Sequence, residues 1–146
     1  MKEQICVIGG GRWGENHIRT LYEMGNLAAV VEPDEHLLQE LEEKYGMLGL
    51  TSLEEALEKA YDGYVVSSSA ETHYEIGKRI LERGYPCLIE KPMTMNSGEA
   101  EELVRIAREH HANFMVNRGH LSRGSLRQSR HRHGQQPHCN HHRNRF

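Results

Sequence analysis

A glycine-rich hexapeptide near the start of the chain has the spacing of a phosphate-binding turn. Residues 9–14 read Gly-Gly-Gly-Arg-Trp-Gly and fit the pattern G-x-G-x-x-G between a predicted strand and a predicted helix. In this pattern Gly9 permits a tight turn, Gly11 lets the backbone approach a pyrophosphate, and Gly14 lets the helix pack closely on the strand. The helix start then offers free N–H groups to the phosphates. The alternative is a glycine-rich turn without a ligand.

An acidic residue follows at the distance expected for recognition of an adenosine ribose. Glu32 lies 18 residues after Gly14, at the end of the second predicted strand. An acid about 20 residues beyond the glycine motif hydrogen-bonds the ribose hydroxyls, and it would repel the 2′-phosphate of NADP. No arginine directly follows Glu32, so we predict NAD rather than NADP. The alternative is an exposed turn residue before Pro33.

A lysine after the fifth predicted strand is the candidate catalytic group. Lys91 lies between Glu90 and Pro92, at the C-terminal end of a strand, where open α/β sheets bind their ligands. A cation beside a nicotinamide can hydrogen-bond a substrate hydroxyl and stabilise a developing alkoxide. Glu90 would hold the lysine or contact the cofactor. The alternative for Lys91 is a surface salt bridge.

These groups need an alternation of strands and helices to position them. Short apolar runs alternate with amphipathic segments of about 10–15 residues, the pattern of a parallel sheet with helices on both faces. We therefore predict an α/β fold with a doubly wound parallel sheet of the Rossmann type. The predicted strands are 5–8, 27–31, 47–50, 63–67, 86–89 and 113–117, and the predicted helices are 15–24, 35–45, 72–83 and 97–111, with one more across Leu53 to Ala60 that Thr51 or Ser52 caps.

The charge distribution divides the chain at about residue 117. Residues 1–117 contain all 21 acidic residues, whereas residues 118–146 contain seven arginines, six histidines and no acid. The final segment shows no apolar periodicity and could not bury enough apolar surface to offset the entropy of ordering it. We predict an NAD-binding Rossmann domain over 1–117 and a basic, His/Arg-rich disordered tail over 118–146.

The composition favours a cytoplasmic protein. No apolar run approaches the roughly 20 residues that span a bilayer, and the N-terminus lacks the features of a secretory signal. Cys6, Cys87 and Cys139 show neither a metal-site spacing nor a disulfide framework. We expect no membrane partner and no specific nucleic-acid partner, because the basic tail lacks interleaved aromatic residues.

Two further motifs follow the fourth and fifth strands. They are Val65-Val66-Ser67-Ser68-Ser69-Ala70-Glu71-Thr72-His73 and, beyond Gly84, Cys87-Leu88-Ile89-Glu90-Lys91-Pro92. With the glycine motif they resemble the N-terminal Rossmann domain of the glucose–fructose oxidoreductase and inositol dehydrogenase (Gfo/Idh/MocA) family over about residues 3–121. Gly-Arg-Trp-Gly at 11–14, Ala70 to Tyr74, and Met115-Val116…Gly119-His120-Leu121 are similar to nucleotide-sugar 3-dehydrogenases. Departures are Ser68 for a frequent threonine, Ser69 for a usual proline, and Asn117-Arg118 within the last string.

The resemblance implies hydride transfer between a nicotinamide and a hydroxyl carbon of a sugar, nucleotide sugar or cyclitol. It also implies a second, C-terminal α/β domain that carries the substrate site and is missing here. We therefore expect this chain to be truncated and weakly active or inactive alone, and the oligomeric state stays open. The expected catalytic residue is Lys91, and the expected cofactor-binding residues are Gly9, Gly11, Arg12, Trp13, Gly14, Glu32, Ser67, Ser68, Ser69, His73, Glu90 and Lys91. His73 has two alternatives: it packs at its helix start, or, like His120, it substitutes for the absent general base.

Several interpretations stay open for the tail and for the chain as a whole. The abrupt loss of acids inside a family-like motif indicates a shifted reading frame, while a native basic tail and a metal-binding tract are the alternatives. We assign no metal site. The whole chain could also be a stand-alone NAD(H)-binding module or a non-functional fragment. The histidines and cysteine of the tract are His131, His133, His138, Cys139, His141 and His142.

Overall fold

Strands and helices alternate throughout residues 2–117, the part of the chain that the computed structural model describes. The strands are β1 (Ile5–Ile8), β2 (Leu27–Val31), β3 (Leu48–Leu50), β4 (Gly63–Val66), β5 (Cys87–Glu90) and β6 (Phe114–Asn117). The helices are α1 (Arg12–Met24), α2 (Glu35–Tyr45), α3 (Leu53–Glu58), α4 (His73–Glu82) and α5 (Ser97–Glu109), with a 3-10 turn at Ala70–Thr72 before α4.

The six strands form one parallel sheet in the order β3-β2-β1-β4-β5-β6. The predicted doubly wound parallel sheet is therefore confirmed. The chain first builds outward from β1 to β3 and then crosses back, so that β4 pairs with the other side of β1. The direction of winding reverses between β1 and β4, and a doubly wound sheet binds its ligands in the crevice at the carboxyl ends of the strands beside such a reversal.

Apolar side chains alternate between the two faces of the sheet, and helices cover both. Val7, Val30 and Val65 pack on one face with Ile18 of α1 and with α2. Their neighbours along each strand point to the opposite face and pack against α3, α4 and α5. Burial on both faces explains why the central strands read as continuous apolar runs rather than as alternating ones.

Helix α1 begins at Arg12, three residues before the position that apolar periodicity predicts. The N–H of Glu15 donates to the carbonyl of Gly11 at 2.8 Å, so the end of the glycine motif already forms the first helical turn. The prediction began at Glu15 because glycine, arginine and tryptophan at these positions carry no apolar period. The earlier start places the unpaired amides of the first turn inside the motif.

The remaining boundaries lie within two residues of the predicted ones, and those of β1, β2 and α2 are as predicted. Strand β4 ends at Val66, which leaves Ser67 in the following loop, and a 3-10 turn precedes α4. Within residues 2–117, no helix is both long enough and apolar enough to cross a membrane. The predicted tail over 118–146, with its histidine tract, lies outside the described residues.

Candidate dinucleotide-binding site

The glycine loop after β1 is pressed against the loop after β4. Gly9 has a φ of +99°, a left-handed conformation that favours glycine. Its N–H donates to the carbonyl of Val31 at 2.8 Å. A Cβ added at Gly9 would lie 2.7 Å from the backbone nitrogen of Ser68. Both the turn and the close approach of the two loops therefore require glycine here.

The other two glycines of the motif differ sharply in their surroundings. A Cβ added at Gly14 would overlap the carbonyl oxygen of Gly9, so Gly14 is needed for helix α1 to pack on the loop. A Cβ added at Gly11 would have no heavy atom within 4 Å apart from those of the adjoining chain. Nothing in the described fold requires glycine at position 11, which leaves open space beside the backbone at the start of α1.

This open space adjoins unpaired donors. Gly11 is the N-cap of α1 and provides no side-chain hydrogen bond, so the amides of Arg12, Trp13 and Gly14 have no capping partner within the helix. The side chains of Arg12 and Trp13 are exposed, the latter at 66%. Free N–H groups, the positive end of a helix dipole and open space beside the Gly11 backbone together fit a pyrophosphate group.

Glu32 at the end of β2 closes the glycine loop from the other side. Its Oε1 accepts the N–H of Gly10 at 3.0 Å, and its Oε2 accepts the N–H of Asp34 at 2.9 Å. Each carboxylate oxygen has a second lone pair, so the group retains acceptor capacity for ribose hydroxyls. The half-buried carboxylate thus lies beside the glycine loop, and its contact with a ribose stays a prediction.

The loop after β4 is fastened to the glycine loop by Ser67. The hydroxyl of Ser67 donates toward the carbonyls of Gly9, at 3.1 Å, and Ile8, at 3.2 Å. The Ser68 hydroxyl lies 2.7 Å from the Thr72 hydroxyl. Ser67 therefore positions the glycine loop with its side chain, while Ser68 and the exposed Ser69 lie at the rim of the cleft.

The buried ring of His73 bridges the loop after β4 and the loop after β5. Its ring is 2% exposed, with Nδ1 2.7 Å from the carbonyl oxygen of Pro92 and Nε2 2.9 Å from that of Ser68. Both nitrogens are thus occupied by backbone carbonyls. The ring thus has the packing role that the sequence left open as one alternative, while a contact of His73 with the cofactor stays a prediction.

Glu90 and Lys91 diverge at the end of β5. Oε1 of Glu90 is hydrogen-bonded to Nε2 of His17 on α1 and accepts Nδ2 of Asn117 on β6 at 2.7 Å. Lys91 is exposed, and no carboxylate in the described range 2–117 lies within ion-pair distance of it. Oε1 of Glu90 is thus held by His17 and Asn117 rather than by the lysine, and the alternative expectation for Glu90, a contact with the cofactor, stays a prediction. The Lys91–Pro92 peptide bond is cis.

Two residues at this site were missed by reasoning from the sequence. His17 follows Gly14 by three residues and therefore lies on the same face of α1, toward the sheet. The three-residue spacing could have indicated that His17 faces the sheet. It could not have identified Glu90 as the partner of His17, because the two residues lie 73 positions apart in the sequence. Gly10 was likewise not singled out, although its N–H carries the contact to Glu32.

The two free cysteines in the described part of the chain, Cys6 and Cys87, are buried and poorly reactive. Burial raises the pKa of Cys6 and of Cys87 to about 12, from the ordinary value of 9.0. A thiol with so high a pKa has almost no thiolate at neutral pH and is a poor nucleophile. Within residues 2–117 no three His, Cys, Asp or Glu side chains are grouped to hold a metal ion.

The strand order, the glycine loop and the acid at the end of β2 together define a Rossmann-type dinucleotide-binding domain. Residues 4–118 match the family model described as the oxidoreductase family with an NAD-binding Rossmann fold, GFO_IDH_MocA. The chain belongs to this Gfo/Idh/MocA family, and the described domain is its NAD-binding domain.

Relatives with assigned activities are dehydrogenases of cyclitols and nucleotide sugars. An inositol 2-dehydrogenase of Renibacterium salmoninarum is 32% identical over 128 residues, which cover 85% of this chain and 37% of that protein. The solved UDP-N-acetylglucosamine 3-dehydrogenase GnnA of Acidithiobacillus ferrooxidans matches with a TM-score of 0.77 at 26% identity, over 88% of this chain and 42% of that one.

A third relative was solved with its cofactor. GenD2 from gentamicin A biosynthesis, in complex with NAD, matches with a TM-score of 0.75 at 28% identity, over 80% of this chain and 34% of that one. The present chain thus spans about 37% of the length of the inositol dehydrogenase that it matches.

Proposed function

We propose that this chain binds NAD and supplies the cofactor-binding part of a dehydrogenase that acts on a hydroxyl group of a sugar, nucleotide sugar or cyclitol. The observation that carries the proposal is the contrast among the motif glycines. Gly9 and Gly14 are needed by the fold, whereas Gly11 borders open space next to unpaired amides. A glycine that the fold does not need is explained by a ligand that approaches the backbone.

The residues divide into roles along the crevice. The amides of residues 11–14 bind the pyrophosphate, and Glu32 accepts hydrogen bonds from the adenosine ribose. NAD, when bound, accepts or supplies the hydride. Lys91 lies exposed beyond the end of β5, in the half of the sheet beyond the reversal, and would donate to or accept from the reacting hydroxyl.

The substrate class rests on the relatives. By their names, one relative is a dehydrogenase of inositol at position 2 and another is a dehydrogenase of UDP-N-acetylglucosamine at position 3. Because this chain spans 37% of the former, we propose that turnover needs groups beyond this stretch and that the chain alone binds cofactor without efficient catalysis. Buried free thiols at Cys6 and Cys87 agree with a cytoplasmic location.

The test is a titration of the 146-residue chain with NADH and with NADPH. Trp13, the single tryptophan, is exposed within the glycine motif, so energy transfer to bound nicotinamide reports binding directly. We expect saturable NADH binding that is at least about tenfold tighter than NADPH binding, because Glu32 repels a 2′-phosphate.

A matched pair of variants separates the acid from general charge effects. Glu32→Gln keeps an acceptor for Gly10 but removes the charge, so the preference for NADH should shrink. Glu40→Gln removes an exposed acid that, among residues 2–117, pairs only with His36, and this variant should leave both affinities unchanged. Absence of saturable NADH binding by the wild-type chain would refute the proposed function.

A further inference from the structure

Glu90 has one occupied and one open carboxylate oxygen. Its side chain is only 13% exposed, and that of His17 is 19% exposed. Both side-chain contacts, from His17 and Asn117, reach Oε1. In the part of the chain that the structure describes, no donor reaches Oε2, yet no buried side-chain oxygen or nitrogen there lacks a partner. Oε2 therefore is not sealed in the interior and remains open to solvent or a ligand.

The chemistry of the two groups determines which one donates the hydrogen bond between His17 and Glu90. An ionised carboxylate only accepts hydrogen bonds, so Nε2 of His17 carries the proton that it shares with Glu90. Donors from α1 and β6 thus hold Oε1 from two sides. A carboxylate held in this way has a fixed plane, and the direction of its free oxygen is fixed as well.

The location points to a specific chemical group. Glu90 ends β5, two strands beyond β1, whereas Glu32 ends β2 on the other side of the reversal. A dinucleotide lies across the reversal, so an adenosine end beside Glu32 places the nicotinamide end on the side of β4 and β5. The carboxamide of nicotinamide carries an N–H₂ group, which a carboxylate oxygen accepts.

We propose that His17 is a positioning residue that holds Glu90 so that its Oε2 accepts the carboxamide N–H of the nicotinamide. The inference rests on the proposed function and deepens it. The sequence motifs did not single out His17, and they did not assign the carboxamide of the nicotinamide to any residue. The His17–Glu90 pair would strengthen binding of the nicotinamide end of the cofactor and would not change binding of the adenosine end.

The experiment compares ligands that share the adenosine end. The 146-residue chain and its variants His17→Leu and His17→Gln are titrated with NADH and with ADP-ribose, by calorimetry. We expect His17→Leu to weaken NADH binding about tenfold, the loss of roughly one charge-assisted hydrogen bond, and to leave ADP-ribose binding unchanged. His17→Gln retains an N–H donor and should recover most of the NADH affinity.

A second comparison addresses the carboxamide itself. Nicotinic acid adenine dinucleotide carries a carboxylate in place of the amide, so the wild-type chain should bind it at least about tenfold more weakly than NAD. Glu90→Gln should bring the affinities for NAD and for nicotinic acid adenine dinucleotide closer together, because this variant lacks the repulsion between two carboxylates. His36→Gln is the control, since His36 lies exposed on α2 and pairs with Glu40.

The outcomes distinguish failure of the inference about His17 from failure of the proposed function. Equal loss of NADH and ADP-ribose binding in His17→Leu would show a merely structural role and overturn the inference. Unchanged NADH binding in that variant, or an unchanged ratio in Glu90→Gln, would overturn it too. If the wild type binds ADP-ribose but these differences are absent, the inference alone fails. If the wild type binds neither ligand, the proposed function fails and the inference falls with it.

Discussion

A methyl group added at Gly11 should separate cofactor binding from folding. The backbone of Gly11 has a φ of −68°, which alanine adopts readily, and its added Cβ would have no heavy atom within 4 Å apart from those of the adjoining chain. Alanine loses less chain entropy on folding than glycine, a gain of about 0.4–1 kcal/mol. It is also a poorer N-cap than glycine, which costs a comparable amount. Gly11→Ala should therefore change the free energy of unfolding by less than about 1 kcal/mol.

The same methyl group should obstruct the pyrophosphate. It would occupy the open space beside the amides at the start of α1, and a displaced phosphate loses one or more hydrogen bonds to them. Each hydrogen bond to a charged group contributes about 1.5–3 kcal/mol. The dissociation constant for NADH should therefore rise roughly 10- to 100-fold, or more.

Gly14→Ala provides the opposite case. Its added Cβ would overlap the carbonyl oxygen of Gly9, which belongs to the backbone and cannot rotate away. Helix α1 or the loop must shift, and overpacking of this kind costs about 1–3 kcal/mol. The melting temperature should fall by roughly 4–12 °C, at about 4 °C per kcal/mol for a domain of this size.

Thermal melting and NADH titration of both variants, beside the wild type, test these expectations. The predicted pattern is a stable Gly11→Ala that binds poorly and a destabilised Gly14→Ala. A Gly11→Ala protein that melts like the wild type and binds NADH equally well would refute the assignment of the open space to a phosphate. A Gly11→Ala protein that unfolds would show that the fold itself needs this glycine.

Two further predictions concern the core. The Tyr64 hydroxyl donates to the carbonyl of Ala56 at 2.8 Å and accepts the N–H of Tyr61 at 3.2 Å, so Tyr64→Phe should lower stability by about 1–3 kcal/mol in urea denaturation; an unchanged midpoint would contradict this. The raised pKa of the Cys6 and Cys87 thiols means that the unfolded thiols ionise above pH 9.0 while the folded ones stay protonated to about 12. Stability should be unaffected by them below pH 9 and then fall by about 1.4 kcal/mol per pH unit for each thiol, and alanine at either position should reduce the slope.

The order of elements and the first binding motif could be read from the sequence because both are local. Apolar periodicity depends on residues within one strand or helix, and it located all six strands. The glycine motif depends on backbone freedom at single positions. The acid at the end of β2 followed from spacing along a unit of known length. These features need no knowledge of what lies across the sheet.

The strand order and the contacts between loops were decided only by the tertiary structure. Glu90 meets His17 rather than Lys91, because the fold brings the His17 side chain of α1 within reach of the end of β5 while the lysine is exposed. His73 bridges Ser68 and Pro92, which lie at the ends of adjacent strands. A buried polar group bonds to whichever partner the folded chain brings within reach, and for these side chains that partner is set by the stacking of strands rather than by sequence distance. The sequence by itself therefore determined a nucleotide-binding fold and its glycine motif. The packing of loops at the carboxyl ends of the strands determined which side chains are exposed there and which ones bond the loops to each other.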